Sequence, residues 1–333
     1  MKYLSLGSVL LLTGAVAASA GQQPSTDPAA QGPVFRSGAS LVALNITVTD
    51  ADKKYITGLK SGDFAVYEDG VQQNVQFFEA DDVPIDLIVL LDSSSSMSDK
   101  IDVVHAAALG FLKNLRENDR GAVVTFSDGV DVAQPLTSDR ALLEDAVKRT
   151  QPHGATALYN ALYVALKQFG HAAQQAGDVR RQAIAVLSDG EDTSSLVSFD
   201  DVMALARKSG VNIYTIGLQS KYSAARTAST GGRRYFSESE YSLKTLAQET
   251  GAQAFFPAAV GELKDVYAVI ARELAAQYSI GYAPTNPRPD GRFRRIVVRI
   301  ASRPELRPRA RAGYTADAVR TIAAAPAQAP SQR

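Results

Sequence analysis

The sequence predicts an α/β fold: a doubly wound, mostly parallel sheet with one antiparallel edge strand, flanked by a small β-sandwich-like module built from the N- and C-terminal segments. Three observations predict it. Between residues 84 and 276, short continuous apolar runs alternate with amphipathic helical stretches, the pattern of parallel strands covered on both faces. Outside that span, residues 35–80 and 277–316 show a period of two and no helical period. The chain has 333 residues, 45% hydrophobic and 21% charged, a composition that packs a globular core and is long enough for two domains of about 150 residues.

The elements follow in order. Lys2, an apolar stretch from Val9 to Ala18 and the small-x-small triplet Ala18-Ser19-Ala20 predict a cleaved signal peptide over 1–20. Ser5 and Ser8 interrupt the stretch, which falls short of the roughly 20 apolar residues a spanning helix needs. The mature protein is therefore expected to be exported, periplasmic or extracellular, without a transmembrane span. Residues 21–34 read as a linker and 317–333, rich in Ala, Pro and Gln, as a disordered tail. In the first β segment Val42, Leu44, Ile46 and Val48 share one face of a strand, followed by Phe64–Glu68, an Asp69-Gly70 turn and Val71–Phe78. The buried runs of the α/β part are Ile85–Leu91, Ala122–Phe126, Ala183–Leu187, Val211–Ile216 and Ala252–Phe256. Val130–Leu136, across a Ser127-Asp128-Gly129 turn, is the expected antiparallel edge. Helical faces appear at Ile101, Val104, Ala108, Phe111, Leu112 and Leu115, with Ser98 or Asp99 as N-cap, and at Leu158, Leu162, Ala165, Leu166 and Phe169. Val202, Leu205 and Ala206, then Leu263, Val266, Ile270 and Leu274, make two more. Strands Tyr278–Ala283 and Phe293–Ile300 close the chain, and the two β flanks either pair into one sandwich or stand as separate elements.

Composition narrows the function. Lys+Arg and Asp+Glu are equal at 35 each, so no overall field favours nucleic acid. There is no cysteine, which excludes disulfides, thiolate metal sites and thiol nucleophiles, and only three histidines are present. What remains is chemistry done by oxygen ligands or by binding surfaces.

Ligands of an open α/β sheet gather at the carboxyl ends of its strands. The loop leaving the first such strand is Asp92-Ser93-Ser94-Ser95-Ser96, in which Asp92, Ser94 and Ser96 alternate and turn toward one point. Thr156, in Gly154-Ala155-Thr156, opens a helix, and Asp189, in Ser188-Asp189-Gly190, ends the strand Ala183–Leu187. Five oxygen donors from three segments thus leave the same end of one sheet. Neutral hydroxyls with few carboxylates suit Mg²⁺, which keeps several waters in octahedral geometry.

Asp92-x-Ser94-x-Ser96, Thr156 in a Gly-x-Thr-x-Leu context and Asp189 before a glycine together resemble the metal-ion-dependent adhesion site of von Willebrand factor type A domains, over residues 84–276. The flanks resemble an exported acidobacterial subfamily: Gly58-Leu59 with Asp63-Phe64, Val66 and Glu68-Asp69-Gly70 precede the domain. Tyr278-x-Ile280-Gly281-Tyr282, Arg294-Arg295-Ile296 and Arg311-x-Gly313-Tyr314 follow it. The resemblance implies a Rossmann-like fold and a bound Mg²⁺, with Mn²⁺ or Ca²⁺ as alternatives. It implies that Ser94 and Ser96 bind the ion directly, Thr156 directly or through water, and Asp92 and Asp189 largely through water. It also implies a non-enzymatic adhesion protein whose metal takes an Asp or Glu carboxylate from a protein partner.

Other readings carry less. A scaffold with a purely stabilising metal site is the first alternative. A serine hydrolase is the second, but no Gly-x-Ser-x-Gly surrounds Ser94 and no carboxylate is assignable to orient His153. An acidic phosphotransfer site would want a carboxylate where Ser94 stands. Asp50-x-Asp52-x-Lys54 reads as a polar turn rather than a calcium loop. Gly231-Gly232-Arg233-Arg234, and more widely Tyr222–Tyr235, read as a loop near the rim. Eight arginines from Arg292 to Arg311 read first as a solvated face, with an anionic envelope polymer as the sharper alternative. His105 is expected half-buried and His171 at a helix end.

Overall fold

The computed structural model describes residues 41–80, 83–175, 180–189, 192–218 and 238–316, with the side chains of 171–175 left aside. The expected signal peptide, linker and C-terminal tail, the loop at Gly231–Arg234 within Tyr222–Tyr235, and the His171 side chain lie outside the described residues.

Among the described residues the central sheet has six strands: β5 (Ile85–Asp92), β6 (Arg120–Phe126), β7 (Val130–Thr137), β8 (Arg181–Ser188), β9 (Asn212–Gly217) and β10 (Ala254–Phe255). Their order is β10-β9-β8-β5-β6-β7. All neighbours are parallel except β7, which runs antiparallel on the β6 edge, as the sequence predicts. Every residue of β5 is buried, because the strand is central and covered on both faces. Leu87, Val89 and Leu91 pack under helices α1 (Ile101–Leu112), α2 (Arg140–Arg149) and α6 (Leu263–Ala275). Ile88 and Leu90 face α3 (Leu158–Gln175), α4 (Phe199–Ser209) and α5 (Glu238–Glu249). Each such side chain contributes about 1.5–3 kcal/mol by leaving water.

Two helices lie beyond those expected: Arg140–Arg149 buries Leu143, Ala146 and Val147, and Glu238–Glu249 buries Leu243, Leu246 and Ala247, each a short apolar set at helical spacing in a polar stretch. Asp139 starts α2 by accepting from the backbone N–H of Ala141 and Leu142. The first helix departs from expectation at its N-terminus. Lys100 occupies the cap position and makes no capping bond, while Ser98 is spent on the carbonyl of Ser95.

The flanks interleave. Strands β1 (Val42–Thr49), β4 (Val75–Glu79), β11 (Tyr278–Tyr282) and β13 (Arg307–Arg309) form one antiparallel sheet in the order β13-β1-β11-β4. Strands β2 (Phe64–Glu68), β3 (Val71–Gln73), β12 (Phe293–Ile300) and β14 (Gly313–Thr315) form the other, in the order β14-β12-β2-β3. Val42, Leu44, Ile46 and Val48 from one sheet and Val66, Ile296 and Ile300 from the other share a single core. The run expected as one strand, Val71–Phe78, breaks at Asn74, and its halves join different sheets. The physical reason is the sandwich itself, which needs chain that crosses from layer to layer.

Candidate metal centre

The geometry starts from the carboxyl end of β5. Asp92, fully buried, accepts from the backbone N–H of Ser94 at 2.8 Å and from the Ser188 hydroxyl, at the end of β8, at 2.6 Å. Burial pushes its carboxyl above the usual range, the nearby Asp189 charge adds to that, and the hydrogen bonds from Ser188 and Ser94 oppose it. Ser94 Oγ lies 2.9 Å from Ser96 Oγ, and Ser96 Oγ donates to Asp189 Oδ1 at 2.7 Å. Since the one Ser96 proton goes to Asp189, Ser94 is the donor to Ser96. Hydrogen bonds thus link the Ser94, Ser96 and Asp189 side chains in a row, and Asp92 adjoins them through Ser94 and Ser188.

Thr156 arrives on a separate loop that is clamped to the first. His153 N–H donates to the Ser93 carbonyl at 2.7 Å, and Ser95 N–H to the Gly154 carbonyl at 3.1 Å. Gly154 sits at φ +69°, and a Cβ there would stand 2.5 Å from Asp128 Oδ1, so glycine is what lets this loop close. From the other side, Thr193 and Ser194 N–H both donate to the Thr156 carbonyl, and the Thr156 N–H donates to Thr193 Oγ1. Asp192 Oδ1 and Ser194 Oγ, on that same segment, are buried acceptors without a hydrogen-bond partner. Asp92, Ser94, Thr156 and Asp189 are buried, whereas Ser96 stands at the exposed rim.

These oxygens suit a hard divalent ion. An octahedral ion with ligands at about 2.1 Å needs neighbouring ligands about 3.0 Å apart. The Ser94–Ser96 separation of 2.9 Å is close to such an edge, and Ser96 Oγ is tied to Asp189 by a hydrogen bond. Among the described residues no group of three or more His, Asp or Glu side chains is placed to hold a metal, so an ion here would lean on hydroxyls.

One cation was not foreseen from the sequence. Lys100 Nζ donates to Asp189 Oδ2 and, at 3.2 Å, to the Ser96 carbonyl, with its side chain 11% exposed. The available signal was a lysine four residues after Ser96, in the turn that leads from the Asp92–Ser96 loop into α1. His153 is committed elsewhere: Nε2 lies 3.0 Å from Ser127 Oγ and Nδ1 lies 3.0 Å from the Gln151 carbonyl. His105 is half-buried, as expected, but its Nε2 has no hydrogen-bond partner. Asp50 Oδ1 accepts from the N–H groups of Asp52 and Lys54, which makes that motif a polar turn.

The arginine run does not form one basic face. Arg294 pairs with Asp290 and Arg309 with Glu273, and Arg311 lies over the Tyr314 ring. Arg292, Arg295, Arg299, Arg303 and Arg307 remain on the surface.

A family model described as the von Willebrand factor type A domain matches residues 86–266. A protein of Borreliella burgdorferi is 28% identical over 145 residues, 40% of this chain and 41% of that one. The von Willebrand factor type A protein of Catenulispora acidiphila has a solved structure that is 16% identical, with a TM-score of 0.47, covering 71% of this chain and 51% of its own. Proximal thread matrix protein 1 from the mussel byssus is 20% identical with a TM-score of 0.49, covering 62% and 50%. The chain thus spans 41% of the length of its Borreliella relative.

Proposed function

The chain belongs to the von Willebrand factor type A domain family, and on that premise we propose that it is an exported, non-enzymatic binding protein that captures an acidic side chain of a protein partner through Mg²⁺. In this reading Ser94 and Ser96 hold the ion directly, Thr156 does so directly or through water, and Asp92 and Asp189 orient bound water. The observation that carries it is the meeting of the two hydroxyls, Ser94 Oγ and Ser96 Oγ at 2.9 Å, beside the Asp189 carboxylate. An ion held by these residues would supply a strong, localised positive charge able to take a partner carboxylate. The protein's own part is to fix the donors. Backbone bonds lock the Gly154–Thr156 loop to Ser93–Ser95, and Ser188 holds Asp92 in place.

Export is read from residues 1–20, and among the described residues no helix is long and apolar enough to cross a membrane. The non-enzymatic reading is supported by His153, whose ring is engaged by Ser127 and Gln151 rather than by Ser94.

Titration calorimetry of the full chain with Mg²⁺ and Mn²⁺ tests the metal. Capture from envelope extract in Mg²⁺ against EDTA, repeated with Asp92→Ala and Thr156→Ala, tests the partner. Metal-dependent capture lost in both variants is the expected result. A melting temperature that falls in EDTA with no metal-dependent partner would replace this reading by a stabilising metal in a scaffold.

A further inference from the structure

The feature of the site that its oxygen donors leave unexplained is Lys100. Its ammonium touches a carboxylate placed in the metal centre and the backbone of the loop that carries two of the hydroxyls. Asp189's side chain is 1% exposed, so this pair sits where charges are weakly screened. We propose that Lys100 sets the ligand preference of the metal centre, weakening the protein's hold on the ion while strengthening the ion's hold on an acidic partner side chain.

The effect is one of charge and rests on the metal centre proposed above. Asp92 and Asp189 bring two negative charges to the centre, enough to neutralise a divalent ion. Lys100 returns one of them. A centre of two carboxylates, one ammonium and a divalent ion is left with a net positive charge, and one carboxylate from outside brings it to neutrality. Without the ammonium the same centre is neutral beforehand, and an incoming carboxylate makes it negative. Lys100 also competes directly, because Asp189 Oδ2 that accepts from Nζ is not free to turn toward the ion or its waters. The two effects carry opposite signs. Removing the charge tightens metal binding and loosens ligand binding, which a residue with a merely structural role would not do.

The experiment uses the full chain in four forms: wild type, Lys100→Met, Lys100→Arg and Lys113→Met, the last removing an equal charge from an exposed position at the other end of α1. Mn²⁺ affinity is read by calorimetry, and glutarate binding to the Mn²⁺-loaded proteins by the relaxation of metal-bound water. In Lys100→Met, Mn²⁺ is expected to bind on the order of tenfold tighter and glutarate on the order of tenfold more weakly, the scale of one nearby screened charge. Lys100→Arg and Lys113→Met should behave as wild type. Lys100→Gln gives the same readout if the methionine variant does not fold.

Constants that stay put, or that move in the same direction, overturn the role of Lys100 while leaving the metal site standing. So does Lys100→Arg behaving like Lys100→Met, or Lys113→Met reproducing its effect. No Mn²⁺ uptake by any of the four folded proteins overturns the metal reading together with this inference.

Discussion

Two buried carboxylates sit in this molecule under opposite regimes. Glu273, on α6, is fully buried and given donors from every side: Tyr214 at 2.7 Å, Gln253 at 2.5 Å, Arg309 at 2.5 Å, Tyr55 at 3.3 Å and Thr47 at 3.5 Å. Thr47 and Arg309 belong to the β sandwich and Tyr214 to the central sheet, so one charge ties the two together. Asp92 is equally buried, yet among the described residues its carboxylate is bonded by Ser94 and Ser188 alone and by no cation, with a second carboxylate, Asp189, nearby to raise its cost. A buried charge that is saturated by its own protein has nothing left to offer a ligand. One that is left lean remains receptive to a cation. The difference between the two is one of hydrogen-bond saturation and not of burial, since both side chains are buried.

Replacing each carboxylate by its amide tests that contrast most strongly. Glu273→Gln should cost about 2–3 kcal/mol in urea unfolding, because it takes the counter-charge from the partly exposed Arg309 and reverses one buried acceptor. Asp92→Asn, measured in EDTA, should melt no lower than wild type, since burial already disfavours the ionised form there. The same variant should bind Mg²⁺ about 10–100-fold more weakly by calorimetry. If both amides destabilise alike, the distinction drawn here is wrong.

Gly154→Ala is expected to have an intermediate effect. A Cβ at φ +69° and 2.5 Å from Asp128 should cost about 1–2 kcal/mol, read from the melting curve. Because the loop bearing Thr156 must shift, Mn²⁺ affinity should fall with it, whereas the junction at Glu273 should be untouched.

The smallest effect is alkaline. Burial and the charge of Glu273 push the Tyr55 hydroxyl up to about 12 and that of Tyr214 well above its ordinary value. A tyrosine whose folded value is raised contributes stability that is complete below its unfolded pKa of about 10 and is lost as pH rises past it. The melting temperature should therefore decline from about pH 10 upward as the unfolded chain ionises first. Tyr214→Phe should shallow that decline, and an unchanged slope would show that the junction tyrosines do not govern it.

Much of this was legible in the sequence because it is local. Short apolar runs such as Leu87–Leu91, rich in branched residues and alternating with amphipathic stretches, read as strands buried on both faces, and Val130–Leu136 after a Ser-Asp-Gly turn is a hairpin partner. The alternation of Asp92, Ser94 and Ser96 at a strand end was enough to direct three side chains one way. What it could not supply was anything that depends on a partner far along the chain. Val71–Phe78 reads as a single strand, and only the pairing of its halves with β2 and β11 divides it at Asn74. The interleaving of the flanks across some two hundred residues was undetermined between two arrangements until a shared core decided it. Glu273 reads as one more polar residue on an amphipathic helix, and Lys100 as one more solvated charge. Periodicity and turn chemistry are properties of neighbours in sequence, and so determine elements and the direction of a loop. Which charge meets which is a property of distance in space, and there the tertiary structure alone assigns Arg309 to Glu273 and Lys100 to Asp189.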